Sequence, residues 1–428
     1  MNKSVSDTKI INEMRFERKR YLEQLLNAEG NGMIKVVTGM RRCGKSYLLF
    51  NLFVECIKKR GVSNEHIIQV NLEDRRNKAL RNPDELLNYI DSHIVGEGKY
   101  YVLLDEVQLV EEFEDVLNSY LNMPNVEVYV TGSNAKFLSK DVITEFRGRG
   151  WEIRVHPLSF AEYYEVVGGE KMEVLETYYK YGGLPATCLL NSAEDKQKYL
   201  AEVFETVYLR DVIERNKIKN IEAMRDLVRL LASGIGSPTN IRRMANTFKS
   251  VAGIDVCANT IVSFIEYLKD SFLISEALRY DVKGRKYIGT ETKYYFEDMG
   301  IRNVVLGFRQ IEHTHIMENV IYNELRIGGF SVDVGMIEKF KRDAKGVLSR
   351  SRLEIDFVVN RYDERVYIQS AFALPTPEKM EQEEASLRQL TDGFRKVIIA
   401  GDRYTSGFNE SGIQVVGVFD FLLGKIEL

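Results

Sequence analysis

Short apolar runs and stretches of helical spacing alternate along the first third of the chain. MIKVVTG begins at Met33, HIIQVNLED spans 66–74, KYYVLLDEVQ spans 99–108 and VEVYVTGSN spans 126–134. Between them, SYLLFNLFVECIKKR from Ser46 and EEFEDVLNSYLN from Glu111 place apolar side chains three and four residues apart, the period of an amphipathic helix. Strands that alternate with helices predict an α/β fold with a mostly parallel sheet covered on both faces. Ligands are then expected at the carboxyl ends of the strands. All four runs close on polar or glycine residues, as such a site requires.

After about residue 165 the periodicity turns helical, as in EVLETYYKYGG and KQKYLAEVFETVYLRDVIERN. A block from Met224 to Phe272 contains NIRRMANTF and CANTIVSFIEYLKDSFLI. The alternating ALRYDVKGRKYI follows, with a tight turn at Lys283 and Gly284. Helices followed by a two-stranded ribbon come in the order of a winged helix. From Met317 onward alternation returns in a mixed pattern of helix and strand, without internal repeats.

Length changes this picture by requiring more than one core: 428 residues exceed the roughly 250–300 at which single cores stop growing. With 44% hydrophobic and 29% charged residues and seven prolines, the balance is that of a globular chain. A net charge of −4 gives no global attraction to nucleic acid, so any such contact needs a local basic face. Cys43, Cys56, Cys188 and Cys257 have neither disulfide-framework nor zinc-ligand spacing and read as free thiols. No stretch reaches the ~20 apolar residues of a membrane helix, and the N-terminus lacks the apolar middle of a secretory signal. A cytoplasmic location with no membrane partner is the expectation.

The chemistry begins where the first run ends. Gly39, Met40, Arg41, Arg42, Cys43, Gly44, Lys45 and Ser46 fit GxxxxGK[ST] between a predicted strand and a predicted helix, with Tyr47 continuing that helix. The glycines let the backbone curl around phosphate oxygens, and the helix start aims N–H groups at them. Lys45 supplies a cation to the β- and γ-phosphates of ATP, and Ser46 supplies a hydroxyl to Mg²⁺. Asp105 and Glu106 end the third run. Asp105 is expected at the metal, through Ser46 and water, and Glu106 as the group that polarises the attacking water. Thr131 and Asn134 end the fourth run, where they could sense the γ-phosphate or simply form a turn. Arg147 and Arg149, in FRGRG, are candidates to neutralise transition-state charge from the same or a neighbouring subunit, with a fixed salt bridge as the plain alternative.

With these residues placed, the chain resembles a widespread prokaryotic family of AAA+-type P-loop ATPases that carry a C-terminal domain of unknown function. The resemblance rests on RFERKRYLEQL, GMRRCGKS, VLLDEVQ, TGSNAKFLS with FRGRG, HPLSFAEYYE, YGGLPA, YLRDVIERN and YYFEDMGIRN. It implies an ATPase core over 1–165, a helical lid over 166–223, a winged helix over 224–310 and a nuclease-like α/β domain over 311–428. That last domain looks like the PD-(D/E)xK nuclease fold, with Glu318 or Glu324 as the helix acid and Asp356 as the strand acid. The third element reads Gln369 and Ala371 where the pattern has Glu and Lys, which predicts a nuclease-like shell with little or no cleavage activity.

The function expected on these grounds is ATP hydrolysis with Mg²⁺, its nucleotide state coupled to DNA or to a DNA-associated partner. Arg242 and Arg243 in the winged-helix block, and Lys339, Lys341, Arg342, Lys345, Arg350 and Arg352 in the basic 339–352 segment, are the candidate phosphate contacts. The alternative is an ATP-controlled switch that docks a protein partner without DNA. The resemblance also implies a homo-oligomer with arginines acting across its interfaces.

Overall fold

The computed structural model describes residues 15–132, 148–252, 256–342, 348–401 and 406–426. Contacts divide the chain into two compact units: Met1–Pro157 with Asp270–Phe272, and Leu158–Lys269 with Leu273–Leu428. Among the described residues no helix is long and apolar enough to cross a membrane.

The first unit is built on a five-stranded sheet in the order β2-β3-β4-β1-β5. Its strands are β1 (Ile34–Gly39), β2 (Ile67–Asn71), β3 (Tyr100–Asp105), β4 (Val126–Thr131) and β5 (Gly150–Val155), and every pairing is parallel. β1, β3 and β4 are buried at each position, so their sequences read as continuous apolar runs, as strands covered on both faces should. On one face Val36, Val102, Leu104 and Val130 pack with Leu86, Ile90, Phe113 and Leu117. The helices α1 (Lys19–Asn27), α3 (Pro83–His93) and α4 (Phe113–Ser119) cover the sheet with α2, which runs Lys45–Tyr47, Leu48–Phe53 and Val54–Lys59 with wider turns in its middle stretch. The α3 start is fixed by Asn82, whose side chain accepts from the Asp84 and Glu85 N–H groups, with Pro83 in the first turn. The protein is thus an α/β protein with the four predicted strands in one parallel sheet. The fifth strand, β5, is an addition: its WEIRV pattern alternates but follows the glycines and arginines of FRGRG.

The second unit opens with helices, among them α5 (Phe160–Val167) and α6 (Lys171–Tyr181). It continues through α7 (Ile221–Ser233), α8 (Ile241–Thr247) and α9 (Ala258–Asp270) into a hairpin of β6 (Ile274–Asp281) and β7 (Lys286–Phe296). Thr239, between α7 and α8, bridges to Thr292 on β7, and the predicted turn forms, with Asp281 Oδ1 accepting from the Gly284 N–H at 2.9 Å. The hairpin is also the edge of an eight-stranded mixed sheet, ordered β12-β13-β11-β10-β9-β8-β6-β7. The other members are β8 (Ser331–Arg342), β9 (Leu348–Arg361), β10 (Glu364–Ala371), β11 (Arg395–Ala400), β12 (Gly407–Phe408) and β13 (Gln414–Gly417). A division at 310/311 therefore falls between strands of one sheet, because β6 pairs in parallel with β8.

Two of the sequence blocks that carry the family resemblance meet in this unit. α6 ends at Gly182, and Asp298 caps α10 (Met299–Val305) by accepting from the Ile301 N–H at 3.0 Å. Its second oxygen accepts from the Gly183 N–H at 2.7 Å, and a Cβ on Gly182 would lie 2.3 Å from the same carboxylate. Asn303 Nδ2 donates to the carbonyls of Tyr179 and Lys180 at 2.8 and 3.0 Å. YGGLPA and EDMGIRN are thus two halves of one buried hydrogen-bonded joint between α6 and α10.

Candidate functional site

β1 delivers the chain to Gly39, at a φ of 134°. A Cβ there would sit 2.0 Å from the Val155 carbonyl oxygen on β5, so only glycine lets the loop leave the sheet along this path. Met40 and Cys43 are buried inward, and the Cys43 Sγ lies 3.5 Å from the same Val155 oxygen. Burial pushes the Cys43 thiol up, which makes it a packing group. Arg42 and Gly44 both turn through the left-handed region, at 66° and 96°, and close the curl before Lys45 starts α2. The Arg41 side chain is half-buried, while Arg42 and Tyr47 are exposed. The Lys45 ammonium, buried inside the curl, donates to the Gly39 and Met40 carbonyls at 2.9 and 3.0 Å.

β4 lies between β1 and β3, which puts its last residue, Thr131, between the loop and the acid pair. The Ser46 hydroxyl donates to Asp105 Oδ1 at 2.9 Å. The Thr131 hydroxyl donates to the same oxygen and accepts from the Glu106 N–H at 3.0 Å. A continuous hydrogen-bonded chain therefore links Ser46, Asp105, Thr131 and Glu106. Asp105 is almost wholly buried, and burial raises its carboxyl above the usual aspartate range; the Thr131 and Ser46 hydroxyls pull against that. Glu106 takes a left-handed φ of 56°, and its Oε2 accepts from Gln108 Nε2.

These groups suit a nucleoside triphosphate and a hard cation. The loop at Gly39 has no room for a Cβ, a lysine sits inside it, and the hydroxyl and carboxylate of Ser46 and Asp105 are oxygen donors of the kind Mg²⁺ takes. Asn134 and Arg147 lie outside the described residues. Arg149 does not join the site within its own chain. Its carbonyl accepts from the Ile34 N–H at 2.9 Å, at the start of β1, whereas the loop leaves the end of that strand. With β5 parallel to β1, about 20 Å of strand separates Arg149 from Val155, beyond the reach of an arginine side chain. Of the residues sequence reasoning missed, Gln108 carried no signal beyond standing two places after Glu106.

A second group of charges lies in the eight-stranded sheet. Glu318, on α11 (His313–Ile327), and Asp356, on β9, are both buried. Glu324, the rival helix acid, accepts from the Phe160 N–H at 2.8 Å, at the start of α5. Between Glu318 and Glu354 stands Lys293, from β7. Its ammonium lies 3.0 Å from Glu318 Oε1 and 2.8 Å from Glu354 Oε1, and Tyr295 donates to the same Glu318 oxygen at 2.7 Å. Burial alone would lower the lysine's pKa, but the carboxylates of Glu318, Asp356 and Glu354 outweigh it and raise it. Burial also pushes Asp356 upward, and its Oδ2 accepts from the Ser370 N–H at 2.8 Å. Gln369 accepts from the Ser386 hydroxyl at 3.3 Å. A side-chain ammonium thus supplies the positive charge among these acids. Among the described residues no group of three or more His, Cys, Asp or Glu is arranged to hold a metal ion.

A parallel α/β sheet with GxxxxGK[ST] at the end of one strand, and an acid pair on a strand one removed from it, defines a P-loop ATPase of the AAA+ class. Residues 31–164 match the family described as an AAA domain, and residues 172–312 match a domain of unknown function. An uncharacterized protein of Haemophilus influenzae is 30% identical over 412 residues, which cover 95% of this chain and 98% of its own length. The chain belongs to the same family as that protein, P-loop AAA ATPases with a domain of unknown function behind the core. An uncharacterized protein of Methanocaldococcus jannaschii is 28% identical over 340 residues, 76% of this chain and 72% of its own. Among solved structures, the Aeropyrum pernix ORC1 protein in complex with DNA aligns at 13% identity and a TM-score of 0.30, covering 68% of this chain and 93% of that one. A DNA polymerase III gamma subunit-related protein of Thermotoga maritima aligns at 10% identity and a TM-score of 0.27, covering 59% and 99%.

Proposed function

We propose that the first unit binds ATP with Mg²⁺ at Gly39–Ser46 and hydrolyses it, and that its nucleotide state governs how the second unit engages DNA or a DNA-bound partner. The observation that carries the ATPase reading is the hydrogen-bonded chain from Ser46 through Asp105 and Thr131 to Glu106. It joins the end of the phosphate loop to the main chain of Glu106, whose carboxylate can take a proton. Lys45 gives the triphosphate its cation, and Ser46 and Asp105 hold Mg²⁺, which when bound neutralises charge on the phosphates. Glu106 takes a proton from water as the water oxygen bonds to the γ-phosphorus and the bond from that phosphorus to ADP breaks.

The DNA reading is supported by α7, α8, α9 and the β6–β7 hairpin in winged-helix order. It is also supported by exposed cations on α8 and just after it, Arg242, Arg243 and Lys249, and at the hairpin tip, Lys283, Arg285 and Lys286. The side chains of 339–350 lie outside the described residues. A second reading, a switch that docks a protein, has its own support. The exposed positions of α9 are Asn259, Val262, Ser263 and Glu266, without a cation, while Lys269 is paired to Glu276 and Glu266 at 2.7 and 3.0 Å. An ATP-binding and turnover assay on wild type and Lys45→Ala, with and without duplex DNA at two salt concentrations, tests both. Loss of binding in Lys45→Ala, and stimulation by DNA that fades as salt rises, are the expected results. Undiminished binding by Lys45→Ala would end the ATPase reading, and turnover indifferent to DNA would leave the protein-docking switch.

A further inference from the structure

Glu106 stands on an unusual backbone. Its φ of 56° is one that side-chain-bearing residues seldom adopt, and two contacts hold it: the N–H bonded to Thr131, and a short helical turn, Val107–Leu109, that follows directly. That turn closes with the Leu109 N–H on the Glu106 carbonyl at 3.0 Å, and it is pinned by Val107 and Val110, both buried. Its geometry brings the side chain of residue 108 back beside that of residue 106. There Gln108 Nε2 donates to Glu106 Oε2, a bond strengthened by the carboxylate's charge. The opposite end of the same amide is left unmet among the described residues: Gln108 Oε1 is buried and has no hydrogen-bond partner there. The amide orientation follows from the carboxylate, since a flipped amide would set oxygen against oxygen.

We propose that Gln108 is a positioning residue for ATP hydrolysis, fixing the Glu106 carboxylate in the orientation from which it takes the proton of the attacking water. The inference rests on the reading of Glu106 as the base. A glutamate has three side-chain torsions, and the main-chain contacts fix none of them; the Gln108 bond restrains the end that reacts. The unmet Oε1 separates this from a packing role. A buried acceptor with no partner is a cost to the fold, so a residue selected for stability at this place would be apolar. Gln108 accepts that cost and delivers its N–H to the carboxylate.

The test is a double-mutant cycle on the full chain with Gln108→Leu, Gln108→Glu, Glu106→Gln and the pair Glu106→Gln/Gln108→Leu. It is read as kcat, KM, affinity for a non-hydrolysable ATP analogue, and melting temperature. Gln108→Leu and Gln108→Glu should each lower kcat about tenfold or more, the scale on which a small misplacement of a reacting group acts. Analogue affinity should hold in both variants, and Gln108→Leu should melt no lower than wild type. In the Glu106→Gln background Gln108→Leu should bring no further loss, because Gln108 acts through Glu106. An unchanged kcat, an equal loss in both backgrounds, or a loss of analogue affinity in parallel with kcat would each overturn the proposal. Wild-type turnover by Glu106→Gln alone would instead remove the base reading on which the proposal stands, and that result is distinct from the others.

Discussion

Thr131 uses both capacities of its hydroxyl on the acid pair, donating to Asp105 and accepting the Glu106 N–H at 3.0 Å. Thr131→Val keeps the shape and removes the hydroxyl, leaving a buried carboxylate oxygen and an N–H short of a partner. The expected cost is about 1–3 kcal/mol of stability, together with a drop in kcat because both acids lose their anchor. Chemical denaturation and steady-state turnover check the two parts, and a variant matching wild type in both would remove Thr131 from the site. At this scale the sequence was legible where the chemistry is local. The phosphate loop and the acid pair are contiguous words, and the structure brings Ser46 within 2.9 Å of Asp105. Thr131 could be weighed but not assigned, because its role depends on β4 lying between β1 and β3. Arg149 could not be placed either, because its position in the chain does not reveal that it precedes β5, away from the loop of its own chain.

Among elements, the informative contacts are buried charges that fasten one to another. Lys293 ties β7 to α11 and β9 through Glu318 and Glu354. Removing it leaves carboxylates facing each other inside the sheet, so Lys293→Met is expected to destabilise the protein by about 3–5 kcal/mol. Adding Glu318→Gln should recover part of that loss, and a denaturant midpoint unchanged in Lys293→Met would mean the acids are neutral without it. Asp298 joins α6 to α10, and burial raises its carboxyl from the ordinary 3.8 to about 6. The folded chain then holds this proton more tightly than the unfolded chain. Its contribution is fully present below the unfolded value and is lost as pH rises through about 6, a change of up to about 3 kcal/mol. Denaturation midpoints compared between wild type and Asp298→Asn should show wild type losing stability relative to the variant across that window. A constant difference would contradict the assignment. Neither joint was legible beforehand, since Lys293 stands far along the chain from Glu318 and Glu354, and Asp298 from Gly183. The helices and the hairpin turn at Lys283 and Gly284 were legible, because periodicity and turn chemistry are local.

For the molecule as a whole, the order of elements was largely readable and their grouping was not. The hairpin reads as the end of a winged-helix block, yet hydrogen bonding carries it into the eight-stranded sheet, a pairing that only the register of β6 with β8 reveals. The central claim concerns the first unit: a P-loop ATPase in which Glu106 takes the proton. Its most direct test is single-turnover hydrolysis of radiolabelled ATP by wild type and Glu106→Gln, with bound ATP measured on the same samples. The account predicts that Glu106→Gln binds ATP as wild type does and releases phosphate at least about a hundredfold more slowly. Equal binding with phosphate release at the wild-type rate would contradict it.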